Sequence, residues 1–214
     1  RNRNGWLYCA ELAWRGGLRL CIAGEDGEAS VTARKKRPAM PGVQPSRDVA
    51  SMIRVDHAGE YGAVRIYEGQ LAVFGNRKSK TADAIRKMAE QEQEHLAAFD
   101  KIVNERRVRP TALEPVWRVA GFALGAATAL MGEKAAMACT AAVEEVIDAH
   151  YTQQIERLDG DPPLKQAVEK FRADEVAHKN EALELGAEDA PAYRLLSETI
   201  KAGCRLAIKL SERL

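Results

Sequence analysis

The sequence predicts an all-α fold: a four-helix bundle with two additional helices, one apolar and one amphipathic at the C-terminal end. Three observations predict it. Helix-compatible stretches follow one another from Ser46 onward, divided by Gly, Pro and Asn stops. No alternating β-branched or aromatic run bounded by turns occurs. One arrangement of Glu, Tyr, Gln and Glu-x-x-His occurs twice, as two successive helical hairpins would present it.

Composition sets the bounds. The chain has 214 residues, enough for one domain with a sizeable core. Apolar residues make up 46% and charged residues 29%, a globular balance. The net charge of +1 gives no broad basic footprint, so nucleic acid is not an expected partner. Residues 1–45 differ from the rest: Gly-interrupted, with Arg34, Lys35, Lys36 and Arg37 ahead of Pro38, Pro41 and Pro45. This stretch is expected to be a poorly ordered tail, a targeting peptide, read-through or cloning remnant, ahead of a domain at 46–214. Cys9, Cys21, Cys139 and Cys204 are widely spaced and form no C-x-x-C pair, which disfavours a disulfide framework or zinc knuckle. They are expected to be reduced, small hydrophobic residues.

The elements follow in order. Ser46 with Asp48 opens a first helix to about residue 74, which Gly75 and Asn76 stop. The second runs over about 80–106. Pro110 and Pro115 separate it from an Ala-rich apolar helix at about 116–131. Its longest apolar run, 119–131, is shorter than the ~20 residues of a membrane span. Gly132 kinks or breaks the chain, and the next helix reaches about 158. Asp159, Gly160, Asp161, Pro162 and Pro163 end it, and a further helix covers about 164–185. Gly186 and Pro191 bracket a turn before a last helix over 192–214. There Lys201, Arg205, Lys209 and Arg213 recur every four residues beside Leu196, Ile200, Ala207 and Leu210. Such a face suits anionic headgroups, and equally an ordinary amphipathic helix.

The chemistry sits in the repeat. Two of the four histidines follow a Glu by three residues, in Glu92-x-x-His95 and Glu175-x-x-His178. Residues i and i+3 share a helix face, so each motif offers a carboxylate and an imidazole to one point. Glu60 precedes Glu92 by 32 residues and Glu144 precedes Glu175 by 31. Tyr67 and Gln70 follow Glu60 at offsets of seven and ten, and Tyr151 and Gln154 follow Glu144 at the same offsets. Seven residues are nearly two turns, so each Tyr is expected on its own Glu's face. The repeat also selects Glu144 over Glu145.

Four carboxylates and two imidazoles match the ligand set of ferritin-like di-metal proteins. Glu60, Glu92, His95, Glu144, Glu175 and His178 are therefore the candidate metal ligands. The Glu of each E-x-x-H, Glu92 and Glu175, is placed to bridge two ions. Four negative charges balance two divalent ions, which limits the cost of burying them. Oxygen-rich ligands with nitrogen and no thiolate suit iron or manganese. His57 and His150 are left over. With Tyr151, His150 is a candidate to support the ligands by hydrogen bonding or to form a path to them.

RVDHAGEYGAVRIYEGQ (54–70), EQEHLAAF (92–99), MACTAAVEEVIDAHYTQQI (137–155), DEVAHK (174–179) and AGCRLAIKLSERL (202–214) resemble the demethoxyubiquinone hydroxylase family of ubiquinone biosynthesis. The resemblance covers about residues 47–214. It implies a di-iron monooxygenase with two Fe ions per chain. O2 would hydroxylate the ring of a polyprenylated demethoxyubiquinone or demethoxyubiquinol. The family's metal positions fall on the six residues named above, with Glu92 and Glu175 bridging. Electrons are expected from NADH, although no Gly-rich dinucleotide motif is present. A bilayer-dissolved substrate implies a peripheral protein on the inner membrane, either the bacterial cytoplasmic face or the mitochondrial matrix side. A second copy of the chain or other ubiquinone-biosynthesis proteins are partner candidates. The rival readings are another ferritin-like di-metal oxidase or peroxidase and a non-enzymatic iron-storage bundle.

Overall fold

A computed structural model describes residues 45–214. The expectations for residues 1–45, with Cys9 and Cys21, lie almost entirely outside them. Six α-helices follow one another: α1 (Arg47–Phe74), α2 (Lys80–Arg106), α3 (Glu114–Leu130), α4 (Glu133–Ile155), α5 (Pro162–Glu184) and α6 (Tyr193–Ser211). A 3-10 turn at Ala187–Asp189 precedes the last. No strand occurs among the described residues.

Three starts carry the side-chain caps that helix N-termini require. Ser46 accepts from the Val49 N–H at 3.3 Å and Ser79 from the Ala82 N–H at 3.2 Å. Asp161 accepts from the Leu164 N–H and also pairs with Arg106 of α2. Gly132 breaks the chain rather than kinking a helix: its φ of +118° is open to glycine at little cost.

Three boundaries differ from expectation, each for a physical reason. Pro115 does not separate helices but sits in the first turn of α3, where a missing N–H costs nothing. Pro162 and Pro163 likewise open α5. α4 stops at Ile155, and Leu158 extended the apolar pattern only because it is buried in the following loop.

The core fixes the topology. One apolar cluster gathers Phe74 of α1, Ile85 and Met88 of α2, Met137 of α4 and Ala182 of α5. Another gathers Ile53 of α1, Phe99 and Val103 of α2, Tyr151 of α4 and Val168 of α5. α1 and α5 run from the second cluster to the first, whereas α2 and α4 run the other way. Each hairpin is thus antiparallel, and α3 returns the chain along the bundle between them. One long crossover between two hairpins is the ferritin-like bundle.

The two additional helices cover α1 and α4. α3 lies on α1 at very short range: a Cβ on Gly125 would stand 1.9 Å from the Ile66 carbonyl oxygen, and one on Gly69 2.2 Å from that of Phe122. α6 packs on α4. Lys201 does not join a free basic stripe, because it pairs with Glu145 of α4 at 2.7 Å and Glu198 at 3.3 Å. Leu196 and Ile200 also turn inward, so the apolar face left to solvent is Leu195, Leu206 and Leu210. α3 exposes Val116, Val119, Phe122 and Leu130 while its small residues face α1. No helix among the described residues is long and apolar enough to cross a membrane.

Candidate metal centre

Between the two apolar clusters, α1, α2, α4 and α5 each turn polar groups inward. α1 supplies Glu60, α2 Glu92 and His95, α4 Glu144, and α5 Glu175 and His178. All six are at most 2% exposed. They form two groups whose ligand-type atoms lie within 4.8 Å of one another: Glu60, Glu92, His95 and Glu175, and Glu92, Glu144, Glu175 and His178. Glu92 and Glu175 belong to both. Glu145, one residue on from Glu144, is exposed and bound to Lys201.

The histidines are held by their outer nitrogens. His95 Nε2 is 3.1 Å from Asp174 Oδ2, and His178 Nε2 is 3.2 Å from Gln91 Oε1. With the outer N–H donated outward, Nδ1 would offer its lone pair to a cation bound among the carboxylates. His95 Nδ1 lies 3.1 Å from Glu175 and 3.6 Å from Glu60, and His178 Nδ1 lies 3.1 Å from Glu92.

The tyrosines cross between the halves. Tyr67 of α1 donates to Glu144 at 3.0 Å, and Tyr151 of α4 donates to Glu60. Each lies on the buried face of its helix with its own Glu, as the spacing predicts, yet donates to the Glu of the other half. Seven residues separate the two by ~10 Å along the helix axis, while the antiparallel neighbour brings the other Glu within reach.

The remaining atoms decide what the cluster can hold. Glu60 Oε2, both Glu92 oxygens, Glu144 Oε2, Glu175 Oε2 and His178 Nδ1 are buried without a hydrogen-bond partner. Buried polar atoms are ordinarily satisfied, and six orphans converging on one place are what a cation requires. Charge tells the same story. Burial and the charge of Glu175 push Glu92 and Glu144 well above the usual carboxylate range, and burial also raises Glu60. Burial opposes ionisation of Glu175, yet the nearby imidazoles of His178 and His95 hold it at about 2. Burial works against the His95 cation too, but hydrogen bonds to Glu175 and Glu60 lift it to about 11. Glu175 thus shares the imidazoles' charge, while Glu60, Glu92 and Glu144 are pushed toward the protonated form.

Residues 47–211 match the family model described as "Ubiquinone biosynthesis protein COQ7". The chain belongs to that family. It is 54% identical over 183 residues to the 3-demethoxyubiquinol 3-hydroxylase of Rhodospirillum rubrum, covering 85% of each chain. It is 52% identical over 169 residues to the NADPH-dependent 3-demethoxyubiquinone 3-hydroxylase, mitochondrial, of Dictyostelium discoideum, covering 77% of each. The human protein of the same name is 47% identical over 205 residues, 94% of this chain and 93% of its own. That match runs into residues 1–45, since 46–214 alone make up less than four-fifths of the chain.

In this family member, His57 and His150 join neither ligand group. His57 of α1 bonds Asp100 of α2 at 2.8 Å and ties the first hairpin together. His150 contacts Gln154 and Asp56, whereas Tyr151 alone of the pair touches a candidate ligand. Asp174 and Gln91 were not anticipated from sequence. A signal for them existed: each immediately precedes the Glu of an E-x-x-H, and each serves the histidine of the other motif.

Beside the cluster, α1, α3, α4 and α6 line a half-open pocket of about 440 Å³. Gly59, Gly62, Trp117, Leu124, Val146 and Cys204 are among its walls, and nearly all its surface is apolar. Gly59 and Val143 line it directly before Glu60 and Glu144 in the chain. Cys139 and Cys204 are free thiols, pushed by burial up to about 12 and about 11.

Proposed function

We propose that this chain is a di-iron monooxygenase that hydroxylates the ring of a polyprenylated demethoxyubiquinone or demethoxyubiquinol with O2. Its relatives' names support the reaction class and substrate. The observation that carries the iron reading is the pair of overlapping ligand groups sharing Glu92 and Glu175, with their inward atoms unpartnered. Glu60 and His95 would complete one iron, Glu144 and His178 the other, and Glu92 and Glu175 would bridge. Six oxygen and nitrogen donors without sulfur fit that ion.

Iron held by these six residues would supply the activation of O2. Asp174 and Gln91 orient the two imidazoles, and Tyr67 and Tyr151 fix Glu144 and Glu60 by donating to one oxygen of each. The apolar cavity takes the substrate against the Glu60 and Glu144 side of the site and excludes water from it. The exposed apolar residues of α3 and α6 support contact with the membrane that holds such a substrate. They support a peripheral position on an inner membrane, bacterial or mitochondrial, and two relatives are named as mitochondrial. Residues 46–214 carry these parts. Electrons come from a reduced nicotinamide; the expectation of NADH widens to NADPH, which two relatives' names specify.

The full chain, loaded with Fe(II) and given a short-tailed demethoxyubiquinone, O2 and NADPH or NADH, tests the reading. It is expected to bind about two irons and to yield ring-hydroxylated product whose new oxygen derives from 18O2. Product formation without iron, peroxide disproportionation alone, or many irons per chain in a hollow assembly would overturn it.

A further inference from the structure

Hydroxylation of this kind consumes a proton from outside. A ring C–H bond and the O–O bond break, and one oxygen enters the ring while the other leaves as water: RH + O2 + NADPH + H+ gives ROH + H2O + NADP+. The candidate site is sealed by apolar clusters at both ends, so the proton needs a polar way in.

One polar group of residues on the α1–α4 side takes no part in the ligand set. Asp56 lies one turn before Glu60 on α1 and its side chain is 0% exposed, while that of His150 on α4 is 18% exposed. Asp56 Oδ1 accepts from Gln154 Nε2 at 2.7 Å and lies 3.4 Å from His150 Nε2. Gln154 Nε2 also lies 2.7 Å from His150 Nε2. Asp56 Oδ2 and Gln154 Oε1 are buried and unpartnered.

This trio has two mutually consistent hydrogen-bonding arrangements. In the first, the Gln154 amide donates to the Asp56 carboxylate and to a bare His150 Nε2. In the second, the amide is turned over, and Oε1 accepts from a His150 Nε2–H and from a protonated Asp56. The two arrangements differ by a proton on each of His150 Nε2 and Asp56. The trio also adjoins the site, since the next residue, Tyr151, donates to Glu60.

We propose that Asp56, Gln154 and His150 form the station through which the reaction's proton enters, His150 taking it up at the solvent edge and Asp56 receiving it inside. The inference rests on the hydroxylase reading above. Starting from the first arrangement, a proton taken up at His150 Nε2 passes to Asp56, which breaks the His150 Nε2–H bond and forms an Asp56 O–H bond. A second proton taken up at His150 Nε2 from solvent then completes the second arrangement. Gln154 is a positioning residue that holds the two groups on one amide. Burial raises the Asp56 carboxyl above its ordinary range, although hydrogen bonding and the charge of His150 pull it down, which favours a carboxyl that can hold a proton. The titratable groups facing it from α4 are His150 and Tyr151, and Glu60 follows it on α1.

Two measurements on the full chain test the station. In metal-free protein labelled with 15N-histidine, the His150 ring-nitrogen shifts, assigned with His150→Gln, are expected to report one tautomer. In Asp56→Asn they are expected to move to another pattern. In the iron-loaded enzyme, Asp56→Asn and His150→Gln are expected to lower hydroxylated product per O2 about 10-fold or more, with unchanged iron content and unchanged substrate KM. Asp56→Glu is expected to recover part of the loss. Wild-type product yield in both variants would overturn the proposal, as would a change in KM alone. If Asp56→Asn fails to fold, His150→Gln at the solvent edge decides by itself. If the wild-type chain hydroxylates nothing, the hydroxylase reading fails separately, and unchanged His150 shifts in Asp56→Asn would still overturn the station.

Discussion

A hydrogen bond to the far nitrogen of a histidine decides which nitrogen faces inward. His95 and His178 both owe their inward Nδ1 lone pair to an acceptor on the opposite hairpin, Asp174 and Gln91. Asp174 is an acid where Gln91 is a neutral amide, so it would make His95 the more basic of the two candidate ligands. Asp174→Ala is therefore expected to weaken iron binding about 10- to 100-fold at one of the two positions, measured by competition with a chelator. Glu94→Ala, which removes an exposed carboxylate from the same stretch of α2, is expected to leave both positions unchanged. The difference between the legible and the hidden residues is one of range. The six candidate ligands could be read because i, i+3 spacing and the repeat are local or periodic properties of the chain. Asp174, Gln91 and Asp56 act across helices, and spacing alone carries no information about which helix lies opposite.

Elements were legible where a stop is chemical and less so where it is spatial. Ser46, Ser79 and Gly75 mark helix ends by their own hydrogen bonding and conformation, and α1 and α2 begin and end close to expectation. Leu158 misled because burial in a loop mimics helical periodicity. The glycines of α3 carry no local sign that α1 is the helix packed on them. That contact sets opposite expectations for two glycines. Gly125→Ala gains helix propensity but drives a Cβ into the Ile66 backbone, and is expected to destabilise by about 1–3 kcal/mol. Gly59→Ala meets nothing within 4 Å, and is expected to stabilise by about 0.5–1 kcal/mol through the same propensity. Thermal melts of the two variants should move in opposite directions, by about 2–4 °C per kcal/mol for a domain of this size. A shared direction would mean that α3 does not rest on α1 as described.

At the scale of the molecule, the bundle encloses charge that its own side chains do not neutralise. Two apolar clusters hold four helices in register, and the interval between them is filled with carboxylates whose inward oxygens lack partners. Folding the metal-free chain must carry that conflict, and cation binding should remove it. Glu92 states the case most sharply, being 0% exposed with neither oxygen partnered. Its substitution should therefore change sign with metal. In the metal-free chain at neutral pH, Glu92 costs the fold either a buried charge or the uptake of a proton, which Gln does not, so Glu92→Gln is expected to stabilise by about 1–3 kcal/mol. With Fe(II) at about 1,000 times its dissociation constant, the wild type should gain about 4 kcal/mol for each ion bound only by the folded state. Glu92→Gln, lacking a carboxylate common to both groups, should lose most of that gain and melt below the loaded wild type. Four melting curves, wild type and variant with and without iron, therefore test whether this cluster is built around cations. A variant less stable than wild type in both states would instead make Glu92 an ordinary packing residue, and parallel shifts on adding iron would place the ions elsewhere.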